Sequence, residues 1–196
     1  LYEDGNLRAE DAAYDDRMGM SVTYRGEIDE SLVDADGDGF IDEYEKADNF
    51  KVSSATYYNI IDSDGVARLK GEEVMDYTDK YDSRGNITTT TVYLYEEDLF
   101  RSGDAAADDR MSMSVVYRGD IDETLVDADG NGIIDEYEKD DNFQVASITY
   151  YNIVDSTGKD RLKGEEVMDY TEKYNSRGEV ASKTVGLCPI REAKKA

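Results

Sequence analysis

Residues 74–95 read VMDYTDKYDSRGNITTTTVYLY, which is the pattern of two β-strands joined by a short turn. Both arms, 74–81 and 87–95, are rich in β-branched and aromatic residues, and such residues favour strands. Between the arms, residues 82–85 (DSRG) begin with an aspartate and close on a glycine, a composition typical of hairpin turns. The stretch therefore predicts an antiparallel β-hairpin.

The same signals continue upstream of this hairpin. Residues 62–65 (DSDG) form a second turn pattern, and residues 50–61 (FKVSSATYYNII) before it read as another strand. Nearer the start, residues 18–24 alternate, with Met18, Met20, Val22 and Tyr24 on one side. Alternation with period 2 predicts a strand that buries one face. The sequence thus predicts a mainly β fold.

The whole pattern occurs twice. When residues 1–93 are placed over 94–186, 64 of the 93 positions are identical. This spacing predicts two tandem, elongated, antiparallel β repeat units, residues 1–93 and 94–186, followed by a tail at 187–196. Tandem duplication is typical of binding modules and structural proteins, so we expect the protein not to be an enzyme.

Each copy carries one acidic dodecapeptide, DADGDGFIDEYE at 34–45 and DADGNGIIDEYE at 127–138. Both resemble the calcium loop of the EF-hand, which takes oxygen ligands from its first, third, fifth, seventh, ninth and twelfth positions and needs glycine at the sixth. The residues at the six ligand positions are Asp34, Asp36, Asp38, Phe40, Asp42 and Glu45 in the first loop, and Asp127, Asp129, Asn131, Ile133, Asp135 and Glu138 in the second. The seventh-position residues, Phe40 and Ile133, would bind through their backbone carbonyls.

This spacing suits calcium, a hard cation that binds six to eight oxygens. We therefore expect two Ca²⁺ ions per chain. The residues around the loops depart from the EF-hand pattern, because strand patterns lie close on both sides. We expect each loop to be inserted between two strands and flanked only by short helices. The alternative is that both dodecapeptides are merely solvated acidic turns.

A second resemblance concerns the hairpin. Residues 80–88 (KYDSRGNIT) and 93–96 (YLYE) resemble the YD repeats, of the RHS type, of large exported bacterial proteins. The resemblance implies hairpins stacked into a continuous β architecture, and a location outside the cell or at the cell surface.

Composition narrows the choice of function. The net charge is -25, which argues against nucleic acid and anionic membranes as partners. With no histidine and one cysteine, the usual zinc sites and the Ser-His-Asp or Cys-His nucleophiles cannot be built. No apolar run reaches 18 residues, so membrane insertion is not expected.

Several readings remain open. The favoured one is a calcium-binding segment of a large exported or cell-surface structural protein, with neighbouring repeat units or identical subunits as partners. The alternatives are a calcium-dependent adhesin or carbohydrate-binding module with a glycan or cell-surface ligand, and a self-assembling filament subunit. The tyrosines predict either sugar stacking or cross-strand packing. The acidic residues 103–109 predict either a further cation site or a connector between the units.

Overall fold

The computed structural model describes residues 13–26, 52–121 and 145–186, and in these residues the chain forms one antiparallel sheet of eight strands. The strands are β1 Met20–Tyr24, β2 Val52–Asn59, β3 Val74–Tyr81, β4 Ile87–Tyr95, β5 Met111–Arg118, β6 Val145–Asn152, β7 Val167–Tyr174 and β8 Val180–Val185. They lie in the sheet in chain order, each hydrogen-bonded to the next. The prediction of a mainly β fold is confirmed for the described residues.

The hairpin predicted at 74–95 forms, with β3 and β4 covering the two expected arms. In its turn the amide of Asp82 donates to the carbonyl of Asn86 at 2.9 Å. Gly85 adopts a φ of 84°, a left-handed conformation that glycine reaches without a steric penalty. The carboxylate of Asp82 accepts from the amides of Arg84 (2.7 Å) and Asn86 (3.0 Å). Local hydrogen bonding therefore fixes the turn.

The two sequence copies share this sheet. β4 pairs with β5 over seven residue pairs, from Thr89 opposite Arg118 to Tyr95 opposite Met111. β1 to β4 belong to the first copy and β5 to β8 to the second, and the numerical boundary between residues 93 and 94 falls inside β4. The hydrogen bonds between copies are thus of the same kind as those within each copy.

The main hydrophobic cluster lies where the copies meet, on one face of the sheet that we call the core face. Its buried members come from both copies: Val92, Leu94, Met113, Val115, Tyr117, Val145 and Ile148. Successive members within a strand are mostly two residues apart, because alternate side chains point to the same face. The alternation predicted for 18–24 recurs in its counterpart at 111–117, where Met113, Val115 and Tyr117 are buried.

The opposite face is rich in hydroxyl groups. Thr56 lies beside Thr78 with 2.8 Å between their Oγ1 atoms, and Thr78 lies 3.0 Å from the hydroxyl of Tyr93. The second copy repeats the threonine contact between Thr149 and Thr171 at 2.9 Å. Cross-strand hydroxyl contacts of this kind stabilise a sheet. Tyr93 also packs against a second buried cluster, formed by Val74, Tyr95 and Ala105.

The connection at 96–110 joins β4 to β5 and contains turns rather than a helix. The buried guanidinium of Arg68 donates to the carbonyls of Ser102 (2.9 Å) and Ala105 (2.7 Å) in this connection. Arg101 in turn forms an ion pair with Asp76 of β3 at 2.8 Å. The acidic residues 103–109 therefore lie in a connector that is tied to the first copy.

Candidate metal centre

The two predicted calcium loops, 34–45 and 127–138, lie outside the described residues, together with the helices expected beside them. All twelve predicted ligands fall there: Asp34, Asp36, Asp38, Phe40, Asp42, Glu45, Asp127, Asp129, Asn131, Ile133, Asp135 and Glu138. The ligand assignments therefore stay predictions. The structure describes the strands from which each loop segment leaves and to which it returns.

Both loop segments join strands that are neighbours in the sheet. The first links β1 to β2, and its nearest residue pair is Tyr24 opposite Val52. The second links β5 to β6, with Tyr117 opposite Val145 at the same place. Because these strand ends are hydrogen-bonded neighbours, the two ends of each loop segment are held close together.

A β-bulge accompanies each of these strand ends. The register shifts between Thr23 and Tyr24 in the first copy and between Val116 and Tyr117 in the second. A bulge adds local twist and redirects the strand, and bulges are common beside functional sites. All seven pairs of neighbouring strands in the described sheet carry such a shift, so the bulges show that equivalent strands pair alike in both copies and do not mark the loop segments.

An arginine stands where each loop segment begins. The guanidinium of Arg118 donates to the carbonyl of Val145, where the chain returns, at 2.9 Å, and to the carbonyl of Tyr174 on β7 at 2.5 Å. Arg25 occupies the equivalent place in the first copy and donates to the carbonyl of Tyr81. Each arginine therefore bridges from the start of the loop segment to the end of the third strand of its copy.

A glycine follows each arginine. Gly119 has a φ of 78° and Gly26 a φ of 74°, left-handed values that most other residues adopt only with strain. The amide of Gly119 donates to the carbonyl of Thr88 on β4 at 2.8 Å. Two residues further on, Ile121 packs against the main hydrophobic cluster. The start of the second loop segment is thus anchored to the sheet through backbone, guanidinium and apolar contacts.

These anchors matter chemically for a cation site. An acidic loop loses conformational entropy when it wraps around an ion, and holding its ends together lowers that cost. The guanidinium also places a fixed positive charge at the base of a strongly acidic segment. Neither Arg25 nor Arg118 was predicted from the sequence to belong to the site. The signal was the identical Tyr-Arg-Gly triplet at 24–26 and 117–119.

The described aspartates with lowered pKa values stabilise turns. The side-chain hydroxyl of Thr157 and the amides of Lys159 and Thr157 donate to Asp155, and these bonds lower its pKa from 3.8 to about 2. The pKa of Asp82 is lowered in the same way, chiefly by its bonds with Asn86. These carboxylates satisfy backbone donors within their own hairpins.

One cluster of opposite charges ties the connector to the second copy. Arg110 forms an ion pair with Glu96 and another with Asp160, the latter at 3.0 Å. Hydrogen bonding to Arg110 lowers the pKa of Glu96, and hydrogen bonding to both carboxylates raises the pKa of Arg110. We assign this cluster a structural role, because its three side chains pair with one another and Arg110 also donates to the carbonyl of Ile153.

The tyrosines in the strands pack on one another. The rings of Tyr57 and Tyr77 stack with centroids 4.4 Å apart, and those of Tyr150 and Tyr170 stack at 4.5 Å. Cross-strand packing is therefore confirmed for these four rings. Sugar stacking on other tyrosines stays a prediction.

Within residues 13–26, 52–121 and 145–186, no three His, Cys, Asp or Glu side chains are grouped so that they could hold a metal ion. The same ranges contain no helix with the length and hydropathy needed to cross a membrane. No known protein-family model, curated protein or solved structure matches the chain.

Proposed function

We propose that this chain is a calcium-binding tandem-repeat segment of a large exported or cell-surface structural protein, and that calcium makes its β units rigid. One observation carries the proposal. The same twelve-residue calcium pattern occurs at the same place in both copies, in a segment that joins two hydrogen-bonded neighbouring strands. A solvated acidic turn would have no need for this spacing of oxygens and glycine.

The proposed mechanism starts from charge. The first dodecapeptide carries six carboxylates, and five of them occupy predicted ligand positions: Asp34, Asp36, Asp38, Asp42 and Glu45. Like charges at short range repel one another, so the loop without a cation resists closing. With Ca²⁺ bound, the aspartates at alternate positions and the terminal glutamate supply oxygens to one ion. The closed loop would then restrain the strands on either side.

The strand framework gives this closure a structural effect. Arg25 and Arg118 already join the start of each loop segment to the third strand of its copy. A loop closed by an ion would extend that rigid region outward from the sheet. Extracellular calcium modules bind with dissociation constants of about 10⁻⁴–10⁻³ M, and we expect affinities in that range or somewhat tighter. The role is structural, with neighbouring repeat units or identical subunits as partners.

Calorimetry on the EDTA-stripped chain tests the proposal. We expect two sites per chain and a rise in melting temperature at millimolar calcium, because a ligand that binds only the folded state stabilises it. Glu45→Gln and Glu138→Gln should each remove one site, and the double variant should lose the thermal gain. A matched control, Glu97→Gln with Asp98→Asn, removes the same charge at exposed positions of the connector.

The control separates specific binding from general screening of the acidic chain. If Glu45→Gln with Glu138→Gln keeps the full calcium-dependent rise in melting temperature, the loops are acidic turns and the proposal fails. Equal losses in the double variant and in the connector control would also contradict it, because the effect would then depend on net charge alone.

A further inference from the structure

The repeat places one strand in two different surroundings. β4 lies inside the sheet between β3 and β5, whereas β8, its counterpart 93 residues later, is the last of the described strands and pairs with β7. Val92 of β4 is fully buried, while the equivalent Val185 of β8 is 56% exposed. The core face at β8 therefore exposes apolar surface that the second copy covers in the first.

This strand is one of the stretches in which the copies differ most. Five of the seven residues 87–93 differ from their counterparts at 180–186. In the neighbouring strand, β3 and β7 differ at one position of eight, where Asp79 is replaced by Glu172. The strand that would receive a further neighbour has thus diverged, whereas the strand beside it has been kept.

The single change in β7 is paired with a change in β8. In the first copy, the hydroxyl of Thr90 donates to the carboxylate of Asp79 at 2.7 Å, and Thr90 is only 1% exposed. β5 supplies Tyr117 directly opposite Thr90, on the same face. A small neutral side chain allows this close approach of the next strand.

In the second copy the same two positions hold a salt bridge. Lys183 replaces the threonine and Glu172 the aspartate, and the two residues are directly opposite in the register. The ammonium of Lys183 lies 3.2 Å from the carboxylate of Glu172 and 3.5 Å from the centre of the Tyr170 ring. The side chain of Lys183 is 46% exposed, so water still solvates this charge.

We propose that Lys183 and Glu172 close the β8 edge to the addition of another strand, and that the surface they close would otherwise accept β1 of a second copy of this chain. Inward-facing charges on edge strands, lysine above all, prevent sheets from joining edge to edge. A strand added beside β8 would bury the pair as β5 buries Thr90, and burying an ion pair costs desolvation energy that its attraction does not fully return.

The partner and its register follow from the internal interface. Val92 of β4 faces Val115 of β5, so the equivalent contact between two chains places Val185 opposite Val22 of the other chain. Likewise, the pairing of Thr91 with Val116 maps onto Thr184 and Thr23. β1 fits this role because its sequence differs from that of β5 at only one position of the five in 20–24.

A disulfide test measures the contact directly. The protein carries Cys188→Ser, which removes the native thiol, together with Val22→Cys and Val185→Cys. These two new thiols would come into contact only if β1 of one chain lies beside β8 of another. We compare this protein with one that also carries Glu172→Asp and Lys183→Thr, which restores the pair of the first copy. The matched control carries Glu172→Asp and Lys173→Thr, because Lys173 is an exposed lysine that pairs with Ser147 and Ser182 on the opposite face.

Covalent dimer is measured by non-reducing electrophoresis after mild oxidation in calcium, with circular dichroism as a check of folding. We expect the restored pair to give about tenfold more dimer than the parent or the Lys173 control. Abundant dimer in the parent protein would overturn the proposal, because the edge would then be open. A folded restored-pair variant without extra dimer would overturn it too, because other residues would then close the edge.

Discussion

Alanine at Val92 should destabilise the fold far more than alanine at Val185, although the two residues occupy the same place in the repeat. Their cross-strand partners on one side are equivalent, Tyr77 for Val92 and Tyr170 for Val185. On the other side, Val92 faces Val115 of the second copy, and it is fully buried. The contrast therefore measures what the interface between the copies contributes.

The magnitude follows from burial. Valine to alanine removes two carbons, worth about 1.6 kcal/mol at about 0.8 kcal/mol per buried CH₂. A closed cavity at Val92 adds about 1 kcal/mol, for a total of about 2.5 kcal/mol. Val185 is 56% exposed, so less than half of the transfer energy applies and no closed cavity forms. We expect about 0.7 kcal/mol there.

Urea denaturation in saturating calcium measures the loss in free energy of unfolding for each variant. Tyrosine fluorescence and circular dichroism follow the transition, and each loss is calculated from the shift in midpoint when the dependence of the free energy on urea concentration is unchanged. We expect Val92→Ala to exceed Val185→Ala by about 2 kcal/mol. If the two costs agree within about 0.5 kcal/mol, the precision of such comparisons, the copies do not share a sheet and the interface described above is wrong.

Two further outcomes are expected. Arg118→Met should lower the free energy of unfolding by about 2 kcal/mol, because the carbonyls of Val145 and Tyr174 lose a charged donor. Calorimetry should also show weaker calcium binding at one of the two sites. Unchanged stability with two unaltered sites would contradict the role of this arginine. The folded pKa of Asp155 is about 2, below its unfolded value of 3.8, so its stabilising effect is present above pH about 4 and is lost as the pH falls toward about 2. In Asp155→Asn, the midpoint of urea denaturation should fall less steeply between pH about 4 and pH about 2. An unchanged dependence on pH in this range would refute the assignment.

The strands could be predicted from the sequence wherever the signal is local. The arms 74–81 and 87–95 match β3 and β4, because alternation and β-branched residues act within a few positions. The counterpart of the 82–85 turn in the second copy, at 175–178, forms as well, with Gly178 at a φ of 76°. Asn175 opens this turn and accepts from the amide of Arg177 at 2.8 Å, the bond that Asp82 accepts from Arg84 in the first copy.

Features that depend on distant partners were not predictable. The alternation within a strand identifies neither its neighbour in the sheet nor their register. The pairing of β4 with β5 could therefore not be predicted. Arg25 and Arg118 look like ordinary polar positions in a strand until the carbonyls that they reach are known. For the calcium ligands, the sequence pattern remains the basis of the assignment, because both loops lie outside the described residues.

The order of the strands also bears on how the chain folds during synthesis. Since every strand of the described sheet pairs with the strand just before it, each one finds its partner already formed when it leaves the ribosome. Short-range pairing of this kind speeds folding, because little chain entropy is lost before the contacts form. Two pairings are delayed, because the long segments 25–51 and 119–144 must be synthesised before β2 and β6 can pair with β1 and β5. Hydrogen exchange on ribosome-bound chains stopped after β4 would show whether the first copy is protected before the second exists.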